Sequence, residues 1–186
     1  MSSAILQGGA SGTGSMTVLA PNTNSNQTIT LPDATGTVMV SGNMPAFSAY
    51  LSADQTVTTS VFTKVAFNTK VFDTASAYDN ATNYRFTPLV SGYYQVNSTV
   101  TTSGSTSQSV FINSIYKNGS IYRSGVQTGL TFTATGTNGF SASDLIFMNG
   151  TTDYLEVYCR IDGTGTMKFL GSSSLSSFSA SMVRSA

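Results

Sequence analysis

Short segments in which apolar and polar side chains alternate, each bounded by turn residues, constrain the fold of this chain more than any other feature. In GYYQVNSTV, residues 92–100, the side chains of Tyr94, Val96 and Val100 fall on one face of a period-two pattern. The other face is uncharged and carries Tyr93, Gln95, Asn97 and Thr99. This alternation predicts a β-strand that buries one face and presents polar, uncharged side chains and a tyrosine on the other.

Segments of the same kind fill the chain from residue 45 to residue 186, and no window shows sustained helical periodicity. The predicted strands are AFSAYLS, SVFTKVAF, YRFTPL, GYYQVNSTV, SQSVFINSIYKN, GSIYRSG, GLTFTATG, FSASDLIFMN, DYLEVYCRI, GTMKFLG and SFSASMVR. Asn118-Gly119 and Asn149-Gly150 each lie between two of them, which predicts tight hairpin turns. Roughly ten strands joined by tight turns predict an all-β jelly-roll β-sandwich.

The first 44 residues differ from the rest and form a predicted N-terminal β-rich stem, residues 1–44, ahead of a head domain, residues 45–186. The stem holds three short β-prone pieces, at residues 17–19, 28–31 and 37–40, separated by turn residues. Each piece has too few apolar side chains to close a core alone, since a lone hairpin is marginal in water. Its Ser, Asn and Gly content is also typical of a linker. If the stem is ordered, we expect it to be buried against other chains, most simply copies of itself.

Composition excludes several function classes. Charged residues make up 9% of the chain, against about 25% in an average protein. The eight basic and eight acidic residues are scattered singly, so the cationic footprint that nucleic-acid binding needs is absent. No apolar run is long enough to insert into a membrane, and the start, MSSAILQGGASG, lacks the pattern of a secretory signal.

Residues with catalytic or metal-binding chemistry are few, and we expect no enzyme and no cofactor. The chain has no histidine, and Cys159 shares the apolar phase of its strand, which predicts a buried structural thiol. Asp73 and Asp79, in VFDTASAYDNATN, are predicted to make Asx-turns. A weak calcium site that they form with Asn80, or a catalytic carboxylate pair, are the alternatives.

One hairpin, SIYKNGSIYRSG, combines aromatic and charged side chains around a tight turn. An exposed tip of this kind suits contact with sugars or phosphates, although the tyrosines of an ordinary surface hairpin pack inward. The receptor-contact candidates are Tyr116, Lys117, Asn118, Tyr122 and Arg123.

The run FNTKVFDTASAYDNATNYRFTPLVSGYYQV resembles the signature of the trimeric jelly-roll heads typified by complement component 1q and related to tumour necrosis factor. The matching positions are Phe67, Asp73, Tyr78, Phe86, Gly92 and Tyr94. The run departs from the signature in one extra residue between Tyr78 and Phe86, and in Val96 and Ser98 where aromatics are usual. The resemblance, taken with FSASMVR as the last strand, covers residues 45–186 and implies a homotrimer of jelly-roll heads.

The earlier stretch, GSMTVLAPNTNSNQTITLPDATGTVMVSG, resembles linker modules of bacteriophage tail-fibre and virion-fibre proteins. The two resemblances in this order imply a non-enzymatic phage fibre on the virion surface, whose trimeric head adheres to a host-surface glycan or outer-membrane receptor. Residues 1–44 would then attach to another virion protein. The alternatives are a capsid-decorating head fibre or cement protein, a depolymerase of surface polysaccharide, and a cellular adhesion module.

Overall fold

The computed structural model describes residues 44–104, 106–125 and 136–186, together with residues 24 and 28. These residues form thirteen β-strands and no helix. The strands are β1 (Ala46–Tyr50), β2 (Gln55–Val57), β3 (Thr63–Lys64), β4 (Thr69–Asp73), β5 (Tyr78–Asp79), β6 (Arg85–Phe86), β7 (Gly92–Gly104), β8 (Ser107–Lys117), β9 (Ser120–Ser124), β10 (Thr137–Met148), β11 (Leu155–Thr164), β12 (Met167–Phe169) and β13 (Ser177–Ser185). The predicted stem lies outside this part, except for residues 24, 28 and 44, and so does the predicted strand GLTFTATG up to residue 135. A helix long and apolar enough to cross a membrane does not occur among the described residues.

The strands form two antiparallel sheets. The first is seven-stranded in the order β2-β12-β7-β13-β1-β4, with β10 paired to β7. The second is six-stranded in the order β5-β6-β11-β8-β9, with β3 paired to β11. Strands that follow one another in sequence alternate between the sheets in several places, as β7 and β8 do. The prediction of an all-β jelly roll is confirmed for the head.

An aromatic cluster around Phe47 of β1 fills the space between the sheets at one end. The ring of Phe47 stacks on Tyr78 at 4.6 Å and on Phe86 at 4.5 Å between centroids, and it meets Phe178 edge-on at 5.0 Å. These four side chains are at most 3% exposed. Burial of each ring stabilises the fold by roughly 1.5–3 kcal/mol, and the ring geometry adds to this.

The six positions of the resemblance signature belong to this core or to the turns that support it. Phe67, Tyr78, Phe86 and Tyr94 are buried, and the Tyr94 hydroxyl donates to the carbonyl of Val90 at 2.8 Å. Burial raises the pKa of Tyr94 to about 12. Gly92 begins β7 where a Cβ atom would collide with the backbone oxygen of Arg184, so only glycine fits there. The spacing of the signature therefore reflects the packing of this core.

The alternation along β7 is as predicted. Tyr94, Val96 and Val100 are completely buried, whereas Tyr93 is 40% exposed and Asn97 is exposed. Ser98 falls on the buried face and exchanges hydrogen bonds with Asn113 of β8 in the interior. A polar pair of this kind is tolerated in a core because its members satisfy one another.

The two hairpin turns predicted from Asn-Gly pairs have different outcomes. Asn118 and Gly119, with φ of 53° and 78°, make a tight turn between the paired strands β8 and β9, so this hairpin is confirmed. The hairpin predicted at Asn149-Gly150 is wrong, because β10 and β11 belong to different sheets. The Asn149 side chain instead accepts hydrogen bonds from the three following N–H groups beyond Gly150 and turns the chain from one sheet to the other.

The strand predictions also missed three short elements, β2, β4 and β5. In SVFTKVAF only Thr63–Lys64 form a strand, and in YRFTPL only Arg85–Phe86. Val65 and Phe67 are nevertheless buried. Burial thus follows the apolar pattern even where strand pairing is brief.

Candidate functional site

The outer face of β10, β7 and β13 in the first sheet has an apolar end. Tyr93, Leu145, Phe147 and Val183 are 39–52% exposed there, and the rings of Tyr93 and Phe147 lie 5.4 Å apart. Arg184 adjoins them and has no ion-pair partner in the described part of the chain. Together with neighbouring residues, three of these apolar side chains and Arg184 line an open cleft of about 570 Å³. Contiguous apolar exposure of this kind marks an interaction surface.

The same face continues into a ladder of hydroxyl and amide groups. The Thr99 and Ser141 hydroxyls are 2.9 Å apart, and Ser143 donates to the Asn97 side-chain oxygen at 2.9 Å. The Gln95 amide donates to the Ser143 hydroxyl at 2.9 Å. Because these groups already bond one another, burying the ladder against a second protein surface would leave few of them unpaired.

Two of the predicted receptor-contact residues, Lys117 and Asn118, hold the turn region together. The Lys117 ammonium lies 2.8 Å from the Asp153 carboxylate and donates to the Phe147 carbonyl at 2.6 Å. The Asn118 amide donates to Asp153 at 2.8 Å, and its oxygen accepts from the N–H of Tyr154 at 2.9 Å. Both side chains therefore have structural partners, and their role in receptor contact stays a prediction.

The other three predicted receptor-contact residues lie in different surroundings. Tyr116 lies on the outer face of the second sheet, with its ring 4.2 Å from that of Tyr158. Arg123 reaches across to the first sheet and pairs with Asp144 at 2.6 Å. Tyr122 is the extra residue where the register between β8 and β9 shifts, and it is 46% exposed. The predicted tip is therefore not one cluster. Lys117 and Asn118 belong to a turn held by Asp153, whereas Tyr116 and Tyr122 have surroundings of their own.

The carboxylates of Asp73 and Asp79 make turns, as the sequence indicates. Asp73 accepts from the N–H groups of Ala77 and Tyr78 at 3.0 Å each. The N–H groups of Thr82 and Ala81 hydrogen-bond Asp79, and with the help of Asn83 they hold its pKa well below the usual range.

The described residues contain no group of three or more His, Cys, Asp or Glu side chains that could hold a metal ion. The Asn80 amide donates to the backbone oxygen of Asn68 at 2.9 Å. The weak calcium site of Asp73, Asp79 and Asn80 stays a prediction. Cys159 is buried in the core, as predicted, and burial raises the pKa of its thiol to about 12, which disfavours the nucleophilic thiolate at neutral pH.

A row of tyrosines on the outer face of the second sheet was not predicted. Tyr154, directly before β11, and Tyr158 within it are partly exposed, and Glu156 between them is a buried carboxylate on the same face. Tyr116 of β8 lies opposite Glu156 in the pairing of the two strands. The residues are about forty positions apart in sequence, so only the register of β8 and β11 brings them together. Two tyrosines four residues apart, and so on one face of a strand, are the signal that sequence reasoning could have used.

Comparison with known proteins bears on the fold. No protein-family model matches the chain, and no curated protein matches it by sequence. Among solved structures, the Eiger TNF of S. frugiperda is similar over 77% of this chain and 93% of its own, with a TM-score of 0.54 and 13% identity. Murine APRIL at pH 8.0 is similar over 75% of this chain and 99% of its own, with a TM-score of 0.50 and 13% identity. At such identity the likeness shows a TNF-like jelly-roll fold and nothing about activity.

Proposed function

We propose that the chain is a non-enzymatic structural fibre of a phage virion, whose head forms a homotrimer and adheres to the host surface. The observation that carries the proposal is the outer face of β10, β7 and β13. One end of this face is apolar and the other is an uncharged, internally bonded ladder, so a second copy of the chain could cover both while the unpaired Arg184 stays in solvent at the edge.

Self-association through this face also accounts for the unusual composition. The apolar end, with Tyr93, Leu145, Phe147 and Val183 each 39–52% exposed, would lose contact with water in the trimer. The face offers few charges because charged groups are costly to bury at the centre of an interface. The low charged fraction of the chain, 9%, is then a consequence of how much of its surface faces other copies.

The assignment to a virion rests on the resemblance of residues 14–42 to fibre linker modules, and on their place ahead of a jelly-roll head. In this proposal residues 1–44 attach the head to another virion protein. The second sheet, on the far side of each head from the interface, is the surface left to meet the host. Because Asp73 and Asp79 each support a turn, the geometry does not favour the depolymerase alternative.

The experiment that tests self-association compares two exposed valines. Val183, 52% exposed, lies in the apolar end of the interface, and Val61, 49% exposed, lies in the loop between β2 and β3. Light scattering of the wild type should give three times the monomer mass of 19.4 kDa. Val183→Glu should yield monomers and Val61→Glu should remain trimeric. A monomeric wild type, or equal behaviour of the two variants, would remove the basis of the proposal.

A further inference from the structure

The outer face of the second sheet carries an aromatic surface that neither the interface nor the core uses. It consists of Tyr116, Tyr154, Tyr158, Lys64 and Glu156, and we call it the tyrosine face. The rings of Tyr116 and Tyr158 are 4.2 Å apart between centroids. Tyr154 and Tyr158 are four residues apart along one strand, so their Cα atoms are separated by about 13 Å. The tyrosine face therefore extends well beyond the area of one tyrosine ring.

Neighbouring cations hold the tyrosine rings in place. The Arg85 guanidinium lies 4.6 Å from the centre of the Tyr154 ring, and the Lys64 ammonium lies 5.7 Å from that of Tyr158. Phe62 supports Tyr116 from one side, with 6.2 Å between ring centroids. All three tyrosines are partly open to solvent. Rings that are fixed before a ligand arrives lose little conformational entropy when it binds.

Most of the charges around these rings are paired, and Arg85, which lies against Tyr154, is in no ion pair of the described residues. Lys64 pairs with the buried Glu156 at 2.5 Å, and Arg160 pairs with Asp162 through two contacts of 2.7 Å. With a single cation beyond these two pairs, such a surface has only a weak field to attract an anionic polymer, yet it offers donors and acceptors at the edges of its rings. The complementary ligand has apolar C–H patches, many hydroxyl groups and no charge.

We propose that the tyrosine face binds an uncharged glycan, with the rings of Tyr116 and Tyr158 under a sugar ring and the Lys64 ammonium and the tyrosine hydroxyls bonding its hydroxyl groups. The inference rests on the proposed function, because it supplies the receptor chemistry for an adhesive head. Tyr154, further along the strand, contacts the next part of the same glycan chain. The face lies on the opposite sheet from the interface and stays accessible in the trimer.

The test uses NMR to follow the tyrosine-ring signals of the full-length chain, which is labelled with carbon-13 in those rings. The probes are the neutral oligosaccharides maltotriose, lactose, chitotriose and mannotriose, and the anionic polymer heparin. At least one neutral probe should shift the signals of Tyr116 and Tyr158. Its affinity should be the same at low and high salt, because a neutral ligand is not subject to screening.

Matched variants locate the contact. Tyr158→Ala should weaken binding of that probe by roughly tenfold through loss of stacking, whereas Tyr158→Phe should retain most of it. Phe72→Ala, which removes a 48% exposed ring from β4 of the other sheet, should bind as the wild type does. If Tyr158→Ala does not fold, Tyr116→Ala takes its place.

Three results would overturn the inference: no shift with any neutral probe, a salt-sensitive response to heparin alone, or equal binding by Tyr158→Phe and Tyr158→Ala. If the trimer adsorbs to host cells but none of the neutral probes binds, the glycan site is refuted and the proposed function stands. If a neutral probe binds but the chain is monomeric and does not adsorb, the proposed function fails instead.

Discussion

The ammonium of Lys117 and the carboxylate of Asp153, 2.8 Å apart, join the β8–β9 hairpin to the loop that leads into β11. Asn118 and the N–H of Asn149 also donate to Asp153. Burial of Asp153 raises its pKa, but these hydrogen bonds and the Lys117 charge outweigh that effect and lower the pKa overall. The hairpin turn of the second sheet and the loop that links the two sheets thus share one carboxylate.

Removing this carboxylate should destabilise the head far more than removing a surface one. Asp153→Ala leaves the mostly buried Lys117 unpaired, and we expect the free energy of unfolding to fall by about 3 kcal/mol. The control is Asp54→Ala, because the Lys168–Asp54 pair is 3.5 Å long with both side chains more than 40% exposed, and we expect a loss below about 1 kcal/mol. Urea unfolding at one fixed protein concentration measures both values. Similar losses of unfolding free energy in the two variants would contradict the role of Asp153 in joining the hairpin to the loop.

The stability of the head should depend on pH through Asp79. Its folded pKa lies below the unfolded value of about 3.9, so its contribution is complete above that value and is lost as the pH falls toward the folded pKa. Asp79→Asn keeps an oxygen for the turn but does not titrate. The wild type should therefore exceed the variant in stability near neutral pH, and the difference should shrink below about pH 4. Thermal unfolding across this range measures the difference, and a difference that is constant with pH would refute the prediction.

Tyr122 is the predicted tip residue whose ring remains exposed, and its loss should reduce adsorption to host cells without changing the fold. Tyr122→Ala removes a side chain that is 46% exposed and has no core contact, so the melting temperature should stay within about a degree of the wild type. Phe72→Ala is the matched control. Adsorption of labelled trimers to cells that the virion infects gives the readout, and normal adsorption by Tyr122→Ala would show that the tip is not the site.

A chain that lacks residues 1–44 should keep the folded head. Among the residues that the structure describes, the apolar core cluster consists of side chains from residue 47 onward, including Phe47, Phe86 and Phe178, and the truncated chain keeps all of these. We expect an unchanged β-rich circular dichroism spectrum, retained trimers and retained competition for host cells, but no incorporation into particles. Incorporation of the truncated head into virions would place the attachment surface on the jelly roll instead.

Much of the fold could be predicted because the long strands carry their pattern locally. The alternation along β7 and β11 is visible in sequence, and it marks Val96, Val157 and Cys159 as buried residues. The short strands β2, β4 and β5 could not be found this way, since two to five residues show no reliable period. The hairpin prediction at Asn149-Gly150 was wrong for a related reason. The dipeptide indicates a local turn, but the sheet that the next strand joins depends on residues distant in sequence.

The candidate site was less predictable, because it depends on register. Tyr116 and Tyr158 come together only through the pairing of β8 with β11, which no local pattern specifies. Lys117 and Arg123 look like free cations in sequence. The structure pairs them with Asp153 and Asp144, which lie more than twenty residues away.

The position of β13 between β1 and β7 has a consequence for how the head is made. Ser177–Ser185 are translated after every other described strand of the first sheet, and until they arrive the sheet is split and Phe47 lacks its contact with Phe178. A chain translated only as far as β12 therefore exposes two open strand edges, on β1 and β7, that invite aggregation or proteolysis. The first sheet can close only once β13 has been made, so closure of the head waits for this one late strand.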